Sequence, residues 1–189
     1  MRRGLGFILI VCGLCLLWSC GTKKNTKASR FYHALTTRYN IYYNGKVAFD
    51  EALLSMEEGY KENYSDMIYL HAISAQPKDK TEPGGAFDRT IEKSNKAIKL
   101  HSIKTKPAKK PGWRNDPKQV ALQAKEEYNP FLKNSWLIMG QAQFYNADFL
   151  QASATFSYIA RHYGQDPEVV AEATLWQARC YSELVWLFE

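Results

Sequence analysis

The residue best placed to carry chemistry is Cys20. It follows Arg2, Arg3 and an uninterrupted apolar run from Leu5 to Trp18. As a helix that run reaches about 21 Å at ~1.5 Å per residue, short of the roughly 30 Å hydrocarbon core of a bilayer. A basic start, an apolar middle and a small residue before a processing point read as a secretory signal. An ordinary signal-peptidase site takes small residues at −3 and −1, whereas Leu17 stands at −3 here. Leu17, small Ser19 and Cys20 instead fit the lipobox of bacterial lipoproteins, with Trp18 the bulky, discordant member. The chemistry would be a diacylglyceryl thioether on Cys20 together with an amide-linked chain. Each buried CH₂ contributes about 0.8 kcal/mol and one acyl chain binds only marginally, so the combined chains anchor durably. An uncleaved anchor with an incidental cysteine is the alternative.

The remaining chemical groups favour plainer readings. His33, His71, His101 and His162 show no i, i+4 pairing and no HExxH or CxxC spacing. Ordinary surface or semi-buried histidines are expected from them, not a metal site. No GxSxG is present, and Cys180 lies on an apolar helical stripe, where it fills a small core position. Glu57-Glu58 and Glu126-Glu127 are sequence neighbours, so on helices they point about 100° apart, on solvated faces. Gly84-Gly85 lacks both a following Lys-Ser/Thr and a preceding strand, and reads as a turn. After cleavage Cys12 and Cys15 leave with the signal and Cys20 is modified. Cys180 is then the sole thiol, and no intramolecular disulfide is expected. No enzyme, no cofactor and no metal follow from these patterns.

Charge is uneven. The chain carries a formal +6, while Ser74 to Lys118 holds twelve Lys or Arg against five Asp or Glu. Within that window "KTKPAKKPGWRNDPK", Lys104–Lys118, is a basic, proline-rich loop with Trp113 its lone aromatic. A solvated linker is the plain reading. A patch for anionic lipid headgroups or an acidic partner surface is the alternative, and nucleic acid is disfavoured because the signal sends the chain out of the cytoplasm.

Helices must position all of these groups, since helical periodicity is nearly everywhere and strand signals are nearly absent. Phe149, Ala152, Phe156, Ile159 and Tyr163 form one stripe; Gly164 then offers a left-handed stop, and Asp166-Pro167 a cap for the next helix. Ala173, Trp176, Cys180 and Leu184 share a face there, as do Trp136, Met139, Gly140 and Phe144 upstream. "QAQFY" at Gln141–Tyr145 recurs as "QARCY" at Gln177–Tyr181. Trp136, Gly140, Ala152 and Phe156 sit where a tetratricopeptide repeat places its large, small, small and large residues. Asn134–Gly164 therefore resembles one such repeat, and a second begins at Asp166. Earlier, Phe31, Leu35, Tyr39 and Tyr42 stripe one helix, Asn44-Gly45 breaks it, and Phe49, Ala52, Leu53, Met56 and Tyr60 stripe another: a repeat-like hairpin. The aromatics Phe31, Tyr32, Tyr39, Tyr42, Tyr43 and Phe49 are expected to pack between hairpins, with sugar stacking the alternative. One helix is expected from Gly85 to His101, and a short one from Asp116-Pro117 to before Asn129-Pro130.

The expected fold is all-α: tetratricopeptide-repeat-like helical hairpins in a short α-solenoid, with a basic proline-rich segment between them. The segments are a signal at 1–19, a lipidated tether at 20–28, the hairpin at 29–73, the basic segment at 74–118, and one repeat plus an incomplete second at 119–189.

Three stretches carry a more specific likeness: "SCGTKKNTKASRFYHALTTRYNIYYNGKVAFDEAL" (Ser19–Leu53), "IEKSNKAIKLHSI" (Ile91–Ile103) and "EEYNPFLKNSWLIMGQAQFYNADF" (Glu126–Phe149). They resemble the SprE/PorW lipoproteins of Bacteroidota, which belong to gliding motility and the type IX secretion system. The resemblance implies an outer-membrane lipoprotein on the periplasmic face, a scaffold whose repeats bind other protein components of that machinery. Cys20 is the functional residue it carries over, as the lipid anchor; it implies no catalytic residue. Gly21 in place of Asp, and Lys23 and Lys24 in place of acidic residues, fit the inner leaflet of the outer membrane. Members of that family are much longer, so the resemblance implies a truncated gene or fragment, or a short paralogue. A SusD-like glycan-binding lipoprotein is the rival reading, and an envelope enzyme a distant third. The sequence leaves the oligomeric state open.

Overall fold

A computed structural model describes residues 24–65, 73 and 85–185. Cys20 and the signal lie outside the described residues, as does the boundary placed between 73 and 74. All regular structure among the described residues is helical.

Thr26 opens the first helix, its hydroxyl accepting from the Ser29 amide at 3.1 Å in place of an intrahelical partner. Helix α1 (Lys27–Thr36) then widens into a π-helical stretch, Thr37–Tyr42, and continues as α2 (Tyr43–Gly59). The expected hairpin over 29–73, with its break at Asn44-Gly45, gives way to this continuous rod. Gly45 serves a close approach instead of a turn. A Cβ there would lie 3.3 Å from Lys93 Cβ, and the Gly45 carbonyl accepts from Thr90 Oγ1 at 3.0 Å. Both partners belong to α3 (Asp88–His101), which is the helix that actually pairs with α2.

Beyond α3 the chain runs irregularly to a 3₁₀ turn at Trp113–Asn115 and then to α4 (Pro117–Ala124). Asp116 caps α4 by accepting from the Lys118 amide at 2.9 Å, with Pro117 in the first turn, as the sequence predicts. Three longer helices follow: α5 (Leu132–Tyr145), α6 (Phe149–His162) and α7 (Pro167–Val185). Apart from α4, each helix from α2 onward packs on the next, and α5 also touches α2 and α7. So α2, α5 and α7 stand side by side, a layout compatible with tetratricopeptide-like hairpins.

The α5–α6 contact follows the repeat pattern closely. Phe156 is fully buried against Gly140, where an added Cβ would come within 2.7 Å of its ring. Ala152 and Ala173 are fully enclosed too, and Phe144, Phe149, Ile159, Val169 and Cys180 complete the same core. Trp136 is only half-buried and lies on Tyr158, with ring centroids 4.6 Å apart.

Gly164, expected as the left-handed stop after α6, does not adopt that conformation; it occurs instead at Ala147, in the α5–α6 turn, at φ 62°. The Asp148 amide donates to the Gln143 carbonyl at 3.0 Å, and the Ala147 amide to Phe144 at 2.9 Å. This pair of bonds closes the helix end in a Schellman motif, and the motif dictates φ > 0 whatever residue occupies the position.

The rod buries only one side. His33, Thr37, Ile41, Gly45, Ala48, Phe49 and Ala52 face inward. Phe31 (69 % exposed), Tyr32, Leu35, Tyr39, Tyr43 (61 %), Val47 and Leu54 face solvent. The expectation that these aromatics pack between hairpins therefore holds for Phe49 and, in part, Tyr42. It fails for Phe31, Tyr32, Tyr39 and Tyr43, because α3 and α5 cover the opposite side of the rod.

Candidate functional site

Two features gather polar chemistry, and both depend on the segment between α4 and α5. Glu126 and Glu127, expected on a solvated helix face, lie instead in irregular backbone. The Glu127 carboxylate is buried. It accepts from the amides of Ile103, Tyr128 and Asn129 at 2.7–2.9 Å and from Ser102 Oγ at 2.5 Å. A buried carboxylate costs free energy unless such donors surround it, so this one clamps the end of α3 to the start of α5. Asn129 extends the clamp, donating to Thr37 Oγ1 and to the His101 carbonyl, each at 3.0 Å.

The same network brings together two histidines that sequence spacing kept apart. His33 and His101 are both buried, with their Nδ1 atoms 2.9 Å apart. One ring must donate and the other accept, so the contact requires at least one neutral imidazole. Burial and His33 both hold the His101 pKa below the ordinary value. No group of three or more metal-ligating side chains forms among the described residues.

Glu126 turns the other way, into a cleft of about 560 Å³. The cleft lies between α4, the start of α5, the end of α6 and the start of α7. His162 Nδ1 sits 2.7 Å from Glu126 Oε2, and Lys133 Nζ 2.5 Å from Asp166 Oδ2. The hydrogen bond from Lys133 holds the Asp166 carboxyl below its usual range. Arg161 and Lys125 also line the cleft, as does Tyr163, whose phenol burial keeps protonated. An imidazole–carboxylate pair is a general-base arrangement in principle. The lining, however, supplies no Ser, Thr or Cys for such a base to activate. Two charge pairs, Glu126–His162 and Lys133–Asp166, bridge the segments that meet at the cleft.

A second surface lies where α5 and α7 run together. Gln141 on α5 donates to Glu172 on α7 at 3.3 Å. Half-buried Tyr145 and Trp176 have ring centroids 6.1 Å apart, and the Arg179 guanidinium covers Trp176 at 4.3 Å.

Of the other residues named from sequence, Cys180 is fully buried on the inner side of α7, and burial pushes its thiol up to about 12. Glu57 and Glu58 are exposed on α2 as expected. The basic loop is largely exposed, with Lys109 and Arg114 both over the Trp113 ring, at 5.2 and 5.7 Å. Cys20 and His71 lie outside the described residues, and no described helix is long and apolar enough to cross a membrane. The bonds from Ser102 and Ile103 to Glu127 and the histidine pair left no local sequence signal, because those partners stand far apart in the chain. Compared with known proteins, the chain matches no family model and no curated sequence significantly.

Proposed function

We propose that this chain is a non-catalytic adaptor, anchored by lipid at Cys20 to the periplasmic face of the outer membrane. It would bind protein components of the type IX secretion and gliding machinery. The observation that carries the binding part is the surface shared by α5 and α7. Gln141, Tyr145, Glu172, Trp176 and Arg179 are prearranged there, and aromatic and arginine anchors of this kind dominate protein recognition. The membrane and the machinery enter through the lipobox at Leu17–Cys20 and the likeness of Ser19–Leu53, Ile91–Ile103 and Glu126–Phe149 to the SprE/PorW lipoproteins. The mechanism is physical: a tether confines the adaptor to two dimensions and raises the local concentration of whatever it holds.

The test is affinity capture from envelopes of a Bacteroidota host, alongside intact mass. The expected result is a chain beginning at acylated Cys20, absent in Cys20→Ala, that enriches type IX components. Arg179→Glu should abolish that enrichment without unfolding the protein. Capture that never enriches those components overturns the reading.

One observation favours the glycan-binding alternative, namely the exposure of Phe31, Tyr32, Tyr39 and Tyr43. Leu35, Val47 and Leu54 share their face, which dilutes a stacking platform with aliphatic surface. Saturable heat on titration with polysaccharides, lost in Tyr39→Ala and Tyr43→Ala, would decide for glycans.

A further inference from the structure

We propose that the loop Lys104–Lys118 is a second membrane contact, binding the anionic headgroups of a phospholipid surface beside the tether. The inference rests on the lipid-anchored reading above and adds a surface to it. Lys104, Lys106, Lys109, Lys110, Arg114 and Lys118 are all exposed, and no carboxylate among the described residues pairs with any of them. The loop's single acid, Asp116, is occupied as the cap of α4. Unpaired cations in one short stretch are available to an external anion, and each adds to attraction toward a charged bilayer.

Position is the second observation. Asn25 donates through Nδ2 to the Thr105 carbonyl at 2.6 Å, and Arg30 Nη1 holds Asn25 Oδ1 at 2.7 Å. Gln123 fixes the other side of the loop by donating to the Pro107 carbonyl at 2.9 Å. The loop is therefore stapled to the first described residues of the chain. Asn25 follows Cys20 by five residues. Even fully extended, that tether spans at most about 18 Å. An acylated Cys20 would thus bring the Thr105 end of the loop within about two Debye lengths of the headgroups. Lys24 and Lys27 are exposed at the same end. Trp113, half-buried between Lys109 and Arg114, adds an indole of the type that settles at membrane–water interfaces. A lipid surface fits better than an acidic protein because the tether already places the loop there, whereas a protein would have to be recruited.

The experiment uses the full protein from a Bacteroidota host, its intact mass recorded first. It is mixed with vesicles of phosphatidylcholine alone or with added phosphatidylglycerol. Lysine acetylation is then mapped by mass spectrometry. With phosphatidylglycerol present, labelling of Lys104, Lys106, Lys109, Lys110 and Lys118 should slow roughly tenfold, and added salt should reverse the effect. Lys96 and Lys99, exposed on α3, should label equally in both vesicles. The variant Lys106→Glu, Lys109→Glu, Lys110→Glu should lose the protection while keeping its helical signal. Equal labelling in both vesicles by an acylated protein overturns the loop contact and leaves the anchor standing. A protein with free Cys20 overturns the anchor, and flotation with the two vesicle types then decides the loop separately. Protection that needs an envelope protein fraction overturns the lipid contact in favour of an acidic partner.

Discussion

In the α5–α6 hairpin Phe144, Phe149 and Phe156 all point inward, whereas Phe31, Tyr39 and Tyr43 on the α1–α2 rod stand in solvent. Both regions are rich in aromatic rings, so ring content does not decide which face of a helix closes. Small residues do. Gly140 and Ala152 lie where α5 and α6 meet, and Gly45, Ala48 and Ala52 lie where the rod meets the rest of the fold. A helix approaches its neighbour where backbone can come near backbone. Rings on that side become core, and rings elsewhere remain available for other contacts.

The sharpest way to break this comparison is to make one kind of substitution in both regions. Phe156→Ala should cost about 3–5 kcal/mol in urea unfolding, since a fully enclosed ring leaves a cavity. Tyr43→Ala should stay within ~0.5 kcal/mol. Equal losses would show that the exposed stripe is covered after all.

The glycines come next. Gly140→Ala should destabilise by about 1–3 kcal/mol, because overpacking against Phe156 outweighs the gain in helix propensity. Gly45→Ala, with 3.3 Å to Lys93 Cβ in place of 2.7 Å to a ring, should cost clearly less by the same measurement.

The polar junction between the two regions should titrate. Because the folded state holds the His101 pKa below 6.5, the unfolded chain takes up a proton that the folded chain refuses. Stability should therefore be full above about pH 6.5 and decline as pH falls below it. Urea midpoints measured across that range should show the decline, and His101→Gln should flatten it.

The smallest effect is a gain. Ala147→Gly should stabilise by about 0.5–1 kcal/mol, seen as a raised melting temperature, because glycine adopts φ > 0 without steric cost.

What the sequence conveyed follows the same division. The spacing of Trp136, Gly140, Ala152 and Phe156 is local to two adjacent helices, and the hairpin it predicts is present. The α4 cap at Asp116-Pro117 was equally legible, being a matter of neighbouring residues. The rod was not legible because Asn44-Gly45 reads locally as a breaker, whereas Gly45 sits inside α2, where the missing side chain admits Lys93 of α3. The link from Glu127 to Ser102 and Ile103 and the His33–His101 pair were illegible for another reason: these bonds join residues that only the finished fold brings together. The left-handed Ala147 was hidden because the turn's hydrogen bonds, not the residue type, impose its conformation.

Considered as a screw, the rod changes pitch at Thr37–Tyr42. The wider turn sets the downstream thread back by about 100°, and α2 is indexed from that offset. Deleting one residue there would restore an even thread and swing Gly45 and Ala48 away from α3, bringing bulkier flanks into the contact. The π stretch thus acts as gearing: it sets which side of the rod meshes with the domain and which is left free to engage something else.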